Sequence, residues 1–194
     1  MPDEIWIFAE QQEGKVRKVG FELLSAGVEF SKKTGQTVSA LLLGSGLKNA
    51  VASLTPFADK IYLLDDPFLS SYTSDTYLEN ISRLVKEHHP SVFLGGMTST
   101  GRDLFPRLAM HLQTGYAPDC TGLRMEEGNR LVATRPLFGG KVFSEVIFSG
   151  ARPQMATVRS NTFIFEGNPG KSAQVISISP QTDPASSKKK VIGA

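Results

Sequence analysis

The strongest constraint on this chain is the regular exchange of short apolar runs and helix-period stretches along its first two-thirds. Ile5-Trp-Ile-Phe-Ala9 reads as a buried strand. Val16, Val19, Gly20, Leu23, Leu24, Gly27 and Val28 then recur at helical spacing. Thr37–Leu43 predicts a second strand, ended by Gly44-Ser-Gly46, where Ser45 is expected to turn the chain and cap a short helix through Ala50 and Leu54. Lys60–Leu64 predicts a third strand. A helix follows from Ser74 to His89, with Leu78, Ile81, Leu84 and Val85 on one face, stopped by Pro90. Val92-Phe-Leu94 is the fourth strand, and Leu104, Leu108 and Leu112 mark the helix after it. Pro106 is expected in or near the first turn of that helix. This order dictates an α/β fold, a doubly wound and mostly parallel sheet with right-handed crossovers. Gly20 and Gly27 cost a helix about 1 kcal/mol each relative to Ala. Their place on the apolar stripe predicts close helix–sheet packing.

After Tyr116 the pattern changes to an added β-rich section. Leu131–Thr134, Lys141–Phe148 and Gln154–Val158 have strand composition, with turns at Glu127-Gly-Asn129 and Phe138-Gly-Gly140. This section is expected to be antiparallel and partly at a sheet edge, with Gln174–Ile178 as one further strand. From Ser179 the composition is that of a linker.

The segment with the most chemistry is Gly95–Ala109, which joins the fourth strand to its helix, where α/β proteins place ligands. Gly96-x4-Gly101 has the spacing of a phosphate loop, but Arg102 and Asp103 stand where Lys and Ser/Thr are required. Asp103 offers no hydroxyl to Mg²⁺ and would repel a triphosphate. Gly101 and Arg102 are therefore read as a vestigial nucleotide loop. An arginine at a helix N-terminus opposes the dipole, and the following acid is expected to offset it. Arg135, Arg152 and Arg159 also lie near turns, where guanidinium groups suit phosphate, carboxylate or flavin-ring contacts.

Other chemistries lack their parts. His88, His89 and His111 have no metal-ligand spacing, so no metal site is expected. Cys120 is the only cysteine, and its neighbours supply no activating base, which predicts a buried or half-buried structural thiol. There is no Gly-x-Ser-x-Gly elbow, and Glu126-Glu127 fall in a turn, so no catalytic residues are assigned. Net charge is +2, with part of the basicity in Lys188-Lys-Lys190, so nucleic-acid binding is not indicated. No run approaches the ~20 apolar residues that span a bilayer, and the N-terminus lacks a signal-peptide pattern. The expected location is cytoplasmic.

Five segments together carry a family resemblance. They are Glu22-Leu-Leu-Ser-Ala26, Thr100–Ala109, Thr114-Gly115 with Asp119-Cys-Thr-Gly122, Thr134-Arg-Pro-Leu-Phe-Gly-Gly140, and Arg152-Pro-Gln-Met-Ala-Thr-Val-Arg159. In this order the chain resembles the N-terminal domain of electron-transfer flavoprotein α subunits, and the last two segments resemble the bacterial branch. The resemblance implies an adenine-nucleotide α-hydrolase-like sheet in residues 1–178, with residues 179–194 as a linker. It implies a non-enzymatic role in an αβ heterodimer that carries electrons from flavin dehydrogenases to a quinone- or ferredoxin-linked acceptor. FAD is then held mainly by a C-terminal domain whose Ser-Gly-Gly-Arg-Gly type motif does not occur here, so this sequence is expected to lack that domain and to bind little flavin alone. Within this chain, Arg135, Gly139 and Arg159 are the expected flavin-edge or β-subunit contacts. The contrasting reading is a stand-alone adenine-nucleotide binder of the stress-protein type.

Overall fold

A computed structural model describes residues 3–150, 152–167 and 169–181. Its centre is a seven-stranded, wholly parallel sheet. The strands are β1 (Glu4–Phe8), β4 (Thr37–Gly44), β5 (Lys60–Asp65), β6 (Val92–Gly96), β7 (Tyr116–Cys120), β11 (Gln154–Val158) and β12 (Gln174–Ser177), in the order β12-β5-β4-β1-β6-β11-β7. A small hairpin of β2 (Gln11–Gln12) and β3 (Lys15–Val16) leads into α1 (Lys18–Thr34), so Val16 precedes the helix that its spacing suggested. The other helices are α2 (Lys48–Leu54), α3 (Ser74–His88) and α4 (Ser99–Leu112). A three-stranded antiparallel sheet of β8 (Gly122–Glu126), β9 (Arg130–Leu137) and β10 (Val142–Ile147) completes the fold.

Every residue of β1 is buried because both faces of the sheet are covered. Ile5 and Ile7 pack with Leu23, Leu24 and Leu54 of α1 and α2. Trp6 and Phe8 pack with Ile81, Leu84, Leu104 and Phe105 of α3 and α4. The helical glycines work as their positions predicted. A Cβ on Gly27 would lie 3.1 Å from Val38, and one on Gly20 would lie 3.2 Å from Val16, so both permit close approach of α1.

Several expectations are corrected. β11 is not an antiparallel edge strand. It is fully buried and inserted in parallel between β6 and β7, whereas β8–β10 of the same section are antiparallel. Ser45 turns the chain but does not cap α2: Asp65 does so from the end of β5, accepting from the Gly46 and Leu47 amides at 2.7 and 2.9 Å. Pro106 sits mid-helix in α4, which deprives the Arg102 carbonyl of its usual donor. The first residues of the expected linker are fixed: Asn80 of α3 donates to the Gln181 carbonyl and accepts from its amide, at 3.0 and 2.8 Å. Lys188–Lys190 lie outside the described residues.

Candidate functional site: the switch-point cleft and arginine cluster

From β1 the chain winds outward through β4 and β5, then returns across β1 to β6 and winds the other way. The carboxyl ends of β1 and β6 therefore define the switch point at which doubly wound sheets bind ligands. An open cleft of ≈ 690 Å³ lies there, edged by Arg17, Thr98, Ser99, Arg102 and Ser160.

The glycines at this position serve packing. A Cβ on Gly101 would overlap the Gly96 carbonyl oxygen, and one on Gly95 would overlap the Phe105 ring. The glycine spacing that resembles a phosphate loop thus lets α4 press onto β6. Thr98 caps α4 by accepting from the Gly101 amide at 3.0 Å, and its hydroxyl donates to Glu10 Oε2 at 2.5 Å. Glu10 follows β1, is 6% exposed, and also pairs with Arg17 Nε at 3.1 Å. An internal carboxylate therefore occupies the helix mouth where the dipole would favour a phosphate. The sequence reading missed Glu10; its only sequence signal is an acid directly after a continuously buried strand at the switch point.

Arg102 is exposed and makes no side-chain hydrogen bond or ion pair among the described residues. Asp103 was expected to offset it but is engaged elsewhere. It accepts from the Tyr72 hydroxyl at 2.7 Å and from Arg107 Nε at 2.9 Å. Burial, followed by this carboxylate, pushes the Tyr72 phenol up.

The acid beside Arg102 is instead Asp119, at a register shift between β7 and β11, with φ of 58°. Arg159 grips it as a fork, Nε to Oδ1 at 2.6 Å and Nη2 to Oδ2 at 2.8 Å. That hydrogen bonding holds the Asp119 carboxyl below the usual range against some burial, and the positive fields of Arg102 and Arg135 add to the effect. Of the sequence-selected arginines, Arg159 binds this carboxylate directly, while Arg102 and Arg135 act on it only through their charge. Arg135, on β9, has a buried Nε with no hydrogen-bond partner among the described residues. Gly101 precedes Arg102 in the first turn of α4. Gly139 is at the exposed β9–β10 turn with φ of 68° and open space around it, so its conformation explains the glycine.

That turn carries an unusual surface. Phe138, Phe143 and Ile147 are 79%, 62% and 60% exposed, and Val142 is half exposed beside them. An apolar group of this size on a solvent-facing ribbon marks an interaction surface. Arg124 and Glu145 form an ion pair across the same ribbon. Behind it Cys120 is buried, its thiol pushed up to about 12 chiefly by burial.

The histidines are dispersed. His88 stacks on Tyr62 and Trp6, His89 forms the C-cap of α3, and His111 faces Lys86. Among the described residues no group of three or more His, Cys, Asp or Glu could hold a metal ion, and no helix is long and apolar enough to cross a membrane.

Comparison with known proteins agrees with this architecture. A profile of the electron transfer flavoprotein domain matches residues 5–183. The chain is 45% identical over 157 residues to the electron transfer flavoprotein subunit alpha of Thermoanaerobacterium thermosaccharolyticum, covering 80% of this chain and 48% of that protein. It is 41% identical over 175 residues to the alpha subunit of Megasphaera elsdenii, covering 89% of this chain and 52% of that one. It is 36% identical over 180 residues to the acryloyl-CoA reductase electron transfer subunit beta of Anaerotignum propionicum, covering 80% of this chain and 49% of that protein. The chain thus spans about half the length of the curated relatives it matches. A doubly wound sheet, a loop whose glycines pack a helix, and a profile match over nearly the whole sequence agree: the chain belongs to the electron transfer flavoprotein domain family.

Proposed function

We propose that this chain is the docking domain of an electron-transfer flavoprotein α-type subunit, working in an αβ heterodimer that passes electrons from flavin dehydrogenases to a downstream acceptor. The observation that carries this reading is the exposed apolar ribbon of Phe138, Phe143 and Ile147, with Arg135 paired opposite Ser144 in the same small sheet and acting with Arg102 and Arg159 on Asp119. A cationic patch next to exposed aromatic residues suits a partner surface that presents apolar anchors and an anionic edge. The β subunit is that partner, and Arg135 and Arg159 meet either its surface or a flavin edge.

The chain's own residues do not fit a complete FAD site. A dinucleotide needs a helix mouth for its pyrophosphate, and Glu10 fills the one at the switch point. The arginine cluster suits only the edge of such a group. The same carboxylate argues against a stand-alone adenine-nucleotide binder. The work assigned to the chain is therefore positioning and docking, with redox chemistry on flavin held mainly by other segments, in the cytoplasm.

Co-purification tests the reading. The 194-residue chain should bind a β-type subunit from a related bacterial system and carry little flavin alone. Phe143→Ser and Arg135→Ala should each weaken that complex at least tenfold while leaving the fold intact. Stoichiometric flavin on the isolated chain, or full binding by both variants, would refute it.

A further inference from the structure

At the opposite end of the sheet from the switch-point cleft lies a second hollow of ≈ 340 Å³. It is bounded by the C-terminal ends of α3 and α4 and by the segments entering β6 and β11. Its floor is apolar. Val85 is 3% exposed, Pro90 and Pro153 are buried, and Leu112 is half-buried. Its rim carries the cationic side chains of Lys86 and Arg152, both exposed, beside the exposed His89.

Cations at the ends of α3 and α4 have an ordinary use, because they oppose the helix dipoles. That accounts for Lys86 in the last turn of α3, whose Nζ lies 3.3 Å from His111 Nε2. It does not account for Arg152, which belongs to neither helix and reaches the same hollow from the loop before β11. Asp3 is the one acid at the rim among the described residues, and Arg152 Nη1 already holds it at 3.0 Å. Lys86 has no carboxylate partner among the described residues. The hollow therefore combines an enclosed apolar floor with one cation more than its acid neutralises. Its volume is at the small end for ligand sites and suits a small molecule.

We infer that this hollow binds a small amphipathic monocarboxylate, a short-chain fatty acid, independently of the docking role above. The hydrocarbon tail lies on Val85, Leu112 and Pro153, and the carboxylate sits between Lys86 and Arg152. Tail burial gives affinity, and the cations select the head group.

The test is an amide NMR titration of the 194-residue chain with acetate, butyrate and hexanoate, using hexanol and hexylamine as controls. Saturable shifts are expected around Val85, His89 and Leu112. Affinity should rise about fourfold per methylene. Lys86→Met, which keeps an unbranched stem at an exposed position, should weaken hexanoate about tenfold and leave hexanol unchanged. Three results would each overturn the inference: shifts that never saturate, hexanol or hexylamine binding as tightly as hexanoate, or an unchanged hexanoate affinity in Lys86→Met.

Discussion

Arg159 and Asp119 meet through two parallel hydrogen bonds of 2.6 and 2.8 Å, between the exit of β11 and a left-handed residue of β7. The pair joins two neighbouring parallel strands at the end where the arginines gather. Because the Asp119 carboxyl is held low, the pair's stabilisation is present above the unfolded aspartate value. It is lost as pH falls through the folded one. Arg159 and Asp119 are 51% and 32% exposed, so solvent screens the pair and its contribution is small. Arg159→Ala should move the Asp119 titration, followed by side-chain NMR, toward the ordinary range with little change in denaturant midpoint.

Gly101 and Gly139 provide a contrast between packing and backbone freedom. Gly101→Ala forces a methyl group into the Gly96 carbonyl and should cost about 3 kcal/mol, because backbone on both sides must move. Gly139→Ala meets open space and has only the left-handed φ to sustain, so about 1 kcal/mol is expected. Urea denaturation of both variants measures the difference.

The sequence made the central strands and their helices plain because burial on both faces writes continuous apolar runs such as Ile5–Ala9. It also marked Gly20 and Gly27 correctly, since a costly residue on an apolar stripe needs a reason. It misplaced Gln154–Val158 because a five-residue run of strand-like composition reads the same in a parallel or an antiparallel setting; the difference lies in distant partners, β6 and β7. Arg102, Arg135 and Arg159 could be selected singly by residue type near turns. Their shared acid could not, because Asp119 joins them only through the shift between β7 and β11. Asp103 was given to Arg102 by adjacency, whereas the helix turns it toward Tyr72 and toward Arg107 four residues on.

Glu4 is the most connected carboxylate of the core. Burial would push it up, but hydrogen bonds from Lys60, Trp6 and Ser39 outweigh that and hold it below the ordinary value. The Lys60, Trp6 and Ser39 contacts are 2.5, 2.8 and 2.8 Å long. Glu4→Ala would strand an indole N–H, a hydroxyl and an ammonium group together, at a cost of about 3 kcal/mol. Trp6 fluorescence during urea unfolding reports both the lost stability and the altered indole environment. In the parent chain this contribution is present above the unfolded glutamate value and fades as pH falls through the folded one.

Cys120 should behave as a reporter of opening. Its thiol is pushed up to about 12 and its Sγ donates to the Ala117 carbonyl at 3.3 Å. Thiolate is therefore scarce at neutral pH, and reagents must wait for the site to open. Labelling should be slow in buffer and should accelerate with urea in step with unfolding. Rapid stoichiometric labelling of the native chain would contradict the buried position.

Glu10 decides whether the helix mouth is closed to external anions. Its carboxylate accepts from Thr98 and pairs with Arg17, so the site's positive potential is satisfied within the chain. Glu10→Ala removes that charge, leaving Arg17 and the Thr98 hydroxyl without this partner, and should cost about 2 kcal/mol. The emptied position is then a helix N-terminus beside two arginines, the arrangement that attracts phosphate. Phosphate should therefore raise the melting temperature of Glu10→Ala and leave that of the parent chain nearly unchanged. At ten times the dissociation constant the gain is about 1.4 kcal/mol. An equal response from both proteins would mean that phosphate acts elsewhere and that Glu10 does not hold the anion position.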